Sequence, residues 1–194
     1  MTPLFIGISG GSGSGKTRLA KELKKYFGRE ASILHIDNYQ KFGGKLPEIY
    51  GMKNWDHPKS INWNKLLKDL LLLKKGKTII IKSRDQRTLN KVRGRVFVPS
   101  EIIIVEGYFL FYKPLIRKIL DISIYLEVSD KTLVKRRTKF KSTKYVQKIL
   151  LPMYHKYIEP TKKFADLILN TEKLSVKDCM KRIIIYLKNS YLNR

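Results

Sequence analysis

Short apolar runs alternate along the chain with longer stretches in which hydrophobic positions recur every three or four residues. Leu4-Phe5-Ile6-Gly7-Ile8-Ser9 is a brief apolar run and predicts a buried strand. Lys16 to Phe27 places Leu19, Ala20, Leu23 and Phe27 on one face of a helix. Ser32 to Asp37 predicts a second strand, and Ile61 to Lys75 a helix stopped at Gly76. Thr78 to Ile81 reads as a short strand, with a basic and polar stretch through Arg95 after it. Glu101 to Glu106 is a continuous apolar run between carboxylates, the mark of a strand buried on both faces. Ile122 to Val128 and Ala165 to Leu169 predict two more strands. Helices are predicted over Lys131 to Phe140, about Val146 to Tyr157, and Ser175 to Leu192. Strands and helices in alternation mean an α/β sandwich with a mainly parallel central sheet of about five strands, flanked by helices on both faces. No internal repeat or low-complexity linker divides the chain, so residues 1–194 form a single domain.

Between the first strand and the first helix lies Gly10-Gly11-Ser12-Gly13-Ser14-Gly15-Lys16-Thr17, a complete G-x-x-x-x-G-K-[ST] pattern in the strand–loop–helix context that gives it meaning. Its glycines let the backbone curl so that successive N–H groups face phosphate oxygens, and the helix dipole adds to that field. Lys16 can reach the β- and γ-phosphates of a nucleoside triphosphate, and the Thr17 hydroxyl can ligate Mg²⁺. The expected fold is therefore the three-layer sandwich of the P-loop NTPases. Ligands in such sheets bind beyond the carboxyl ends of the strands, which singles out carboxylates there. Glu106 ends the most apolar strand and is followed by Gly107, placing it as a second Mg²⁺ ligand beside the loop. Asp37 ends the second strand and opens a turn, where a carboxylate can face the γ-phosphate and take a proton from an attacking hydroxyl. Glu127 is followed by Val128 without a turn and is read as structural.

Charge and composition change little in this picture. The formal net charge of +25 suits either nucleic-acid binding or a lysine-rich solvated surface. The cations are spread along the chain, without an arginine-rich tail or an aromatic–basic repeat, and the solvated surface is preferred. The single cysteine, Cys179, excludes an internal disulfide, and His35, His57 and His155 are scattered, arguing against a histidine metal site. The longest apolar run, Leu70 to Leu73, is too short to cross a bilayer, and the first strand leaves no room for a signal peptide. A cytoplasmic protein without a membrane partner is expected; a homo-oligomer is compatible with the sequence.

Several motifs together resemble the uridine kinase family, within the group that includes phosphoribulokinase and nicotinamide riboside kinase. They are the opening Ile6 to Thr17, Asp37-Asn38-Tyr39-Gln40-Lys41, Asn54-Trp55-Asp56-His57-Pro58, Val105-Glu106-Gly107-Tyr108-Phe109-Leu110-Phe111 and Glu159-Pro160-Thr161-Lys162-Lys163-Phe164-Ala165-Asp166. The resemblance implies an ATP- or GTP-dependent, Mg²⁺-dependent kinase acting on the 5′-hydroxyl of a small ribonucleoside, most naturally uridine or cytidine. It implies that Asp37 serves as base, that Asp56 accepts from the ribose 2′- and 3′-hydroxyls, and that Tyr39 and His57 belong to the acceptor site. Arg136 and Arg137 would sit in a small mobile lid, about residues 137–148, with Arg137 clamping the phosphoryl group in transfer. The base pocket departs from the family pattern: Arg84, Gln86 and Leu89 stand where the family has tyrosine, phenylalanine and histidine, while Asp85 is kept. Arg84 can stack through its guanidinium, and Gln86 can pair with a base edge. The lid carries Lys139, Lys141 and Lys144 in place of the usual Glu-Arg-Gly-Arg run, and Gln40 replaces a tyrosine. Tyr108 to Leu115 and Pro152-Met153-Tyr154 resemble nicotinamide riboside kinase, which makes a ribosyl-pyridine the alternative acceptor. A P-loop kinase acting on RNA ends is a further alternative.

Overall fold

Leu4–Gly10 forms the strand (β1) around which the computed structural model is built; residues 2–41, 46–84 and 92–192 are described. The chain continues through α1 (Lys16–Phe27), β2 (Ala31–His35), the small pair β3 (Glu48–Ile49) and β4 (Met52–Lys53), and α2 (Trp63–Lys74). It then forms β5 (Ile79–Arg84), β6 (Val92–Phe97), β7 (Ile102–Glu106), α3 (Pro114–Arg117), β8 (Ile122–Glu127) and α4 (Asp130–Arg137). Short helices α5 (Thr143–Tyr145) and α6 (Leu151–Met153), then β9 (Leu167–Asn170) and α7 (Val176–Leu187), complete the order.

Five strands make one sheet in the order β2-β7-β1-β8-β9, parallel at every pairing. Consecutive residues of β1 enter opposite halves of the core, as a strand's two-residue period requires. Phe5 packs with Leu34, Val105 and the α2 leucines 66, 70 and 73. Ile6 and Ile8 pack on the other face with Leu19 and Leu23 of α1 and with Ile183 and Leu187 of α7. Two covered faces explain why the strands read as unbroken apolar runs. Helix ends follow local chemistry: the Asn62 side chain accepts from Lys65 N–H at the start of α2, and Ser175 with Asp178 forms a capping box on α7.

Two expectations are corrected. The second strand stops at His35, and Ile36–Tyr39 turns as a 3₁₀ helix, so Asp37 lies beyond the strand and not at its end. The apolar Ile36, one residue past the strand, packs on Gly107, where an added Cβ would lie 2.6 Å from Ile36 Cβ. The basic stretch through Arg95 contains a further strand: β5 and β6 pair antiparallel as a two-stranded unit apart from the main sheet. The alternation is hidden there because apolar residues stand on both faces: Ile80 and Val96 are exposed while Ile79, Ile81 and Phe97 are buried. The helix predicted over about Val146 to Tyr157 is helical from 143 to 158 but irregular: π turns at Val146–Leu150 and Tyr154–Ile158 flank α6, which contains Pro152. Proline lacks the N–H that a regular ladder needs there. Among the described residues no helix is long and apolar enough to cross a membrane.

Gly10 closes β1 at φ 142°, and a Cβ placed on it would come within 2.3 Å of the Leu126 carbonyl oxygen of β8. Gly10→Ala should therefore destabilise the protein by roughly 2–3 kcal/mol through backbone strain. A thermal melt with unchanged Tm would contradict this account of the strand–loop junction.

Candidate functional site

β1 lies at the centre of the sheet between β7 and β8, and the phosphate loop leaves its carboxyl end. Lys16 opens α1 with its ammonium folded over the loop, donating to Gly10 O at 3.1 Å and Gly11 O at 2.8 Å. Burial lowers its pKa, with Arg137 acting in the same direction and with Glu106 and Asp37 opposing. The loop is held from outside by Arg136 Nη1, which donates to Gly13 O at 2.8 Å, and by Thr171 Oγ1, which donates to Ser14 O at 2.9 Å. Arg137 closes over the loop instead: a Cβ on Gly13 would lie 3.5 Å from Arg137 Cδ. The Arg137 Nε and the Ser14 hydroxyl are both buried without a hydrogen-bond partner among the described residues. Unpaired buried donors at a phosphate loop are what an anion would satisfy.

Glu106 ends β7, in register with His35 of β2 and Ile8 of β1. Its Oε1 accepts from Thr17 Oγ1 at 3.1 Å and meets His35 Nδ1 at 2.6 Å. Burial pushes the Glu106 carboxyl up, but the His35 hydrogen bond, Lys16 and Thr17 together bring it below the ordinary carboxylate range. Thr17 and Glu106 thus present two oxygens to one point beside the loop, the hard-oxygen set that suits Mg²⁺ shared with phosphates. Asp37 faces the same cleft and behaves oppositely. Although it is reached by solvent from the cleft, enclosing protein raises its pKa, Glu106 raises it further, and Lys16 and His35 offset part of this.

The cleft has a volume of about 230 Å³, and its lining includes Gly13, Lys16, Thr17, Asp37, Glu106 and Arg137. Asp56, Tyr108, Phe109, Trp55, Gln40 and Lys141 line it as well. Asp56 is buried, and its Oδ2 accepts from Tyr145 Oη at 2.8 Å and Lys141 Nζ at 3.3 Å. Tyr145 Oη also accepts from Trp55 N–H at 3.2 Å, tying residues 141–145 to the Asp56 segment. A second hollow, of about 280 Å³, lies across the loop among Ser14, Gly15, Arg18, Leu126, Arg136 and Thr171.

Expected site residues converge unevenly. Lys16, Thr17, Asp37, Asp56, Glu106 and Arg137 share the cleft. Arg136 supports the loop from the neighbouring hollow. Tyr39 does not reach the cleft: its ring is buried and its hydroxyl donates to Asp69 Oδ2 at 2.9 Å, where Lys65 also binds. His57 is likewise absent from the cleft wall. Its Nδ1 accepts from Lys59 N–H at 3.1 Å and its Nε2 faces Tyr157 Oη at 3.3 Å, so it caps a turn. Arg84 ends β5, and Gln86, with Asp85 and Leu89, lies outside the described residues. His35, Tyr108 and Tyr145 were not anticipated at the site. Only strand register could have revealed His35, and only the position after Glu106-Gly107 could have revealed Tyr108.

Comparison with known proteins finds matches along most of the chain. Residues 5–178 match the phosphoribulokinase / uridine kinase family. A uridine kinase of Clostridium perfringens (strain 13 / Type A) is 36% identical over 180 residues, covering 86% of this chain and 86% of that protein. A uridine kinase of Chlamydia pneumoniae is 31% identical over 184 residues, covering 88% and 82%. Among solved structures, one described as a possible uridine kinase from Bacillus stearothermophilus superposes with a TM-score of 0.64 at 22% identity, covering 88% of this chain and 90% of that one. Phosphoribulokinase from Rhodobacter spheroides gives 0.63 at 13% identity, covering 85% and 68%. At these identities the two structures speak for the fold.

Proposed function

Because the chain belongs to the phosphoribulokinase / uridine kinase family, we propose that it transfers the γ-phosphate of ATP or GTP to the 5′-hydroxyl of a ribonucleoside, with uridine or cytidine as first acceptors. The observation that carries this reading is one cleft whose lining brings the phosphate-loop residues Gly13, Lys16 and Thr17 together with Asp37, Glu106 and Asp56. The acceptor's 5′-oxygen forms a bond to the γ-phosphorus while the bond to the β–γ bridging oxygen breaks. Asp37 takes the hydroxyl proton, and the products are a nucleoside 5′-monophosphate and a nucleoside diphosphate. Lys16 and Arg137 neutralise charge on the transferring group, as phosphoryl transfer demands. Thr17 and Glu106 would hold Mg²⁺, which neutralises the β- and γ-phosphates when bound. The hollow beside Arg18 and Arg136 is assigned to the donor's base, and residues 137–148 to a lid that closes with Arg137. Such a reaction belongs in the cytoplasm, where both nucleoside and triphosphate are dissolved.

Mass spectrometry of reactions with uridine, cytidine, the purine ribonucleosides and nicotinamide riboside tests the proposal. Phosphate gained by none of them would overturn it. Nicotinamide riboside is included because the segment around Arg84 and Gln86 lacks the family's aromatic pair. Stabilisation by short RNA that falls steeply with salt, without any from nucleosides, would favour an RNA-end kinase instead.

Asp56→Asn keeps the side-chain volume but weakens acceptance from the ribose. It should raise the acceptor KM about tenfold or more, narrow the gap between ribo- and 2′-deoxyribonucleosides, and leave kcat largely intact. Steady-state kinetics with matched acceptors checks this.

A further inference from the structure

Tyr108 lines the cleft, yet its hydroxyl is buried and has no hydrogen-bond partner among the described residues. A phenol hydroxyl is a hydrogen-bond donor as well as an acceptor, and here neither capacity is used within the protein. The groups around it are already engaged. Tyr125 Oη donates to Tyr154 Oη at 3.2 Å, and Tyr145 and Lys141 both end on Asp56 Oδ2. The Tyr108 ring lies beside the phosphate-loop lysine: Lys16 Nζ is 6.0 Å from its centre, and Phe109 packs edge-on at 4.8 Å.

An unpartnered buried hydroxyl is costly and rare in folded proteins, and one in a cleft wall has a natural partner in the ligand. The second observation concerns Asp56. A carboxylate accepts from both members of a vicinal diol most readily when both oxygens are free, and here Oδ2 already receives two donors. Resting on the nucleoside-kinase reading above, we infer that the acceptor's ribose diol is shared. One hydroxyl donates to Asp56 Oδ1, and the other accepts a hydrogen bond from Tyr108 Oη. Tyr108 is then a specificity-determining residue that makes its bond only when the acceptor is present.

Tyr108→Phe tests this with a ribonucleoside and its 2′-deoxy and 3′-deoxy analogues. The ribonucleoside KM should rise about tenfold, with kcat and donor KM changed by less than about twofold. For the analogue lacking the hydroxyl that Tyr108 serves, wild type and variant should have equal KM. The ligand-free variant should melt no lower than wild type, because the hydroxyl has no partner to lose. An unchanged ribonucleoside KM overturns the inference, as does one common factor across all three acceptors. A wild type inactive on every ribonucleoside instead overturns the proposed function, and this inference falls with it.

Discussion

Lys16→Ala should lose at least about 10²-fold in kcat, since removing one preorganised charge from a developing transition state usually costs that much. Lys16 is buried, and its ammonium is held on the carbonyls of Gly10 and Gly11, at the mouth of the loop that would receive the β- and γ-phosphates. The fold should survive the change. Burial depresses the Lys16 pKa, so the folded state binds its proton less readily than the unfolded chain does. Below that depressed pKa the charged lysine costs stability, and the cost fades as pH rises through it. Alanine removes the cost along with the chemistry. Circular dichroism and a thermal melt should show a folded variant, and a rate above about a tenth of wild type would contradict the assigned role.

Local features of the site were legible in the sequence, and features built by tertiary contact were not. The phosphate loop announces itself because glycines, lysine and threonine at fixed spacing perform one local task. Glu106 was legible for a related reason: an apolar strand that ends on a carboxylate places it at the ligand-binding edge. Tyr39 was misplaced because a 3₁₀ turn sends neighbouring side chains to different sides. Asp37 meets the cleft, while two residues later a ring enters the core toward Asp69, thirty positions away. The bond from Tyr145 to Asp56 spans 89 positions, and no local pattern predicts it. His35 looked like a scattered histidine until pairing of β2 with β7 set it beside Glu106. Of the β5–β6 unit only the first strand was legible, as Thr78 to Ile81; β6 was not, because basic residues and exposed apolar ones mask its period-2 signal.

Asp37→Asn should reduce kcat by roughly 10²–10⁴-fold with a modest change in acceptor KM, because it removes proton acceptance in the transition state. It should also make the protein more stable near neutral pH. The protein enclosing the cleft, reinforced by Glu106, raises the pKa of this solvent-reached carboxyl above its unfolded value. The folded state therefore holds the proton more tightly than the unfolded chain. Its stability falls as pH rises from the ordinary carboxylate range through the raised pKa, and the ionised group is a burden above it. Asparagine carries no such burden, so the variant should melt higher while turning over far more slowly. The same shift, a property of the ligand-free protein, predicts that wild-type kcat/KM begins to fall, as pH is lowered, at a higher pH than an ordinary aspartate would give, and pH–rate profiles read this directly. A variant that loses only affinity, while Asp56→Asn loses kcat, would mean the two carboxylates have exchanged roles. The attacking hydroxyl would then face Asp56, and the Ile36–Tyr39 turn would serve to anchor the acceptor.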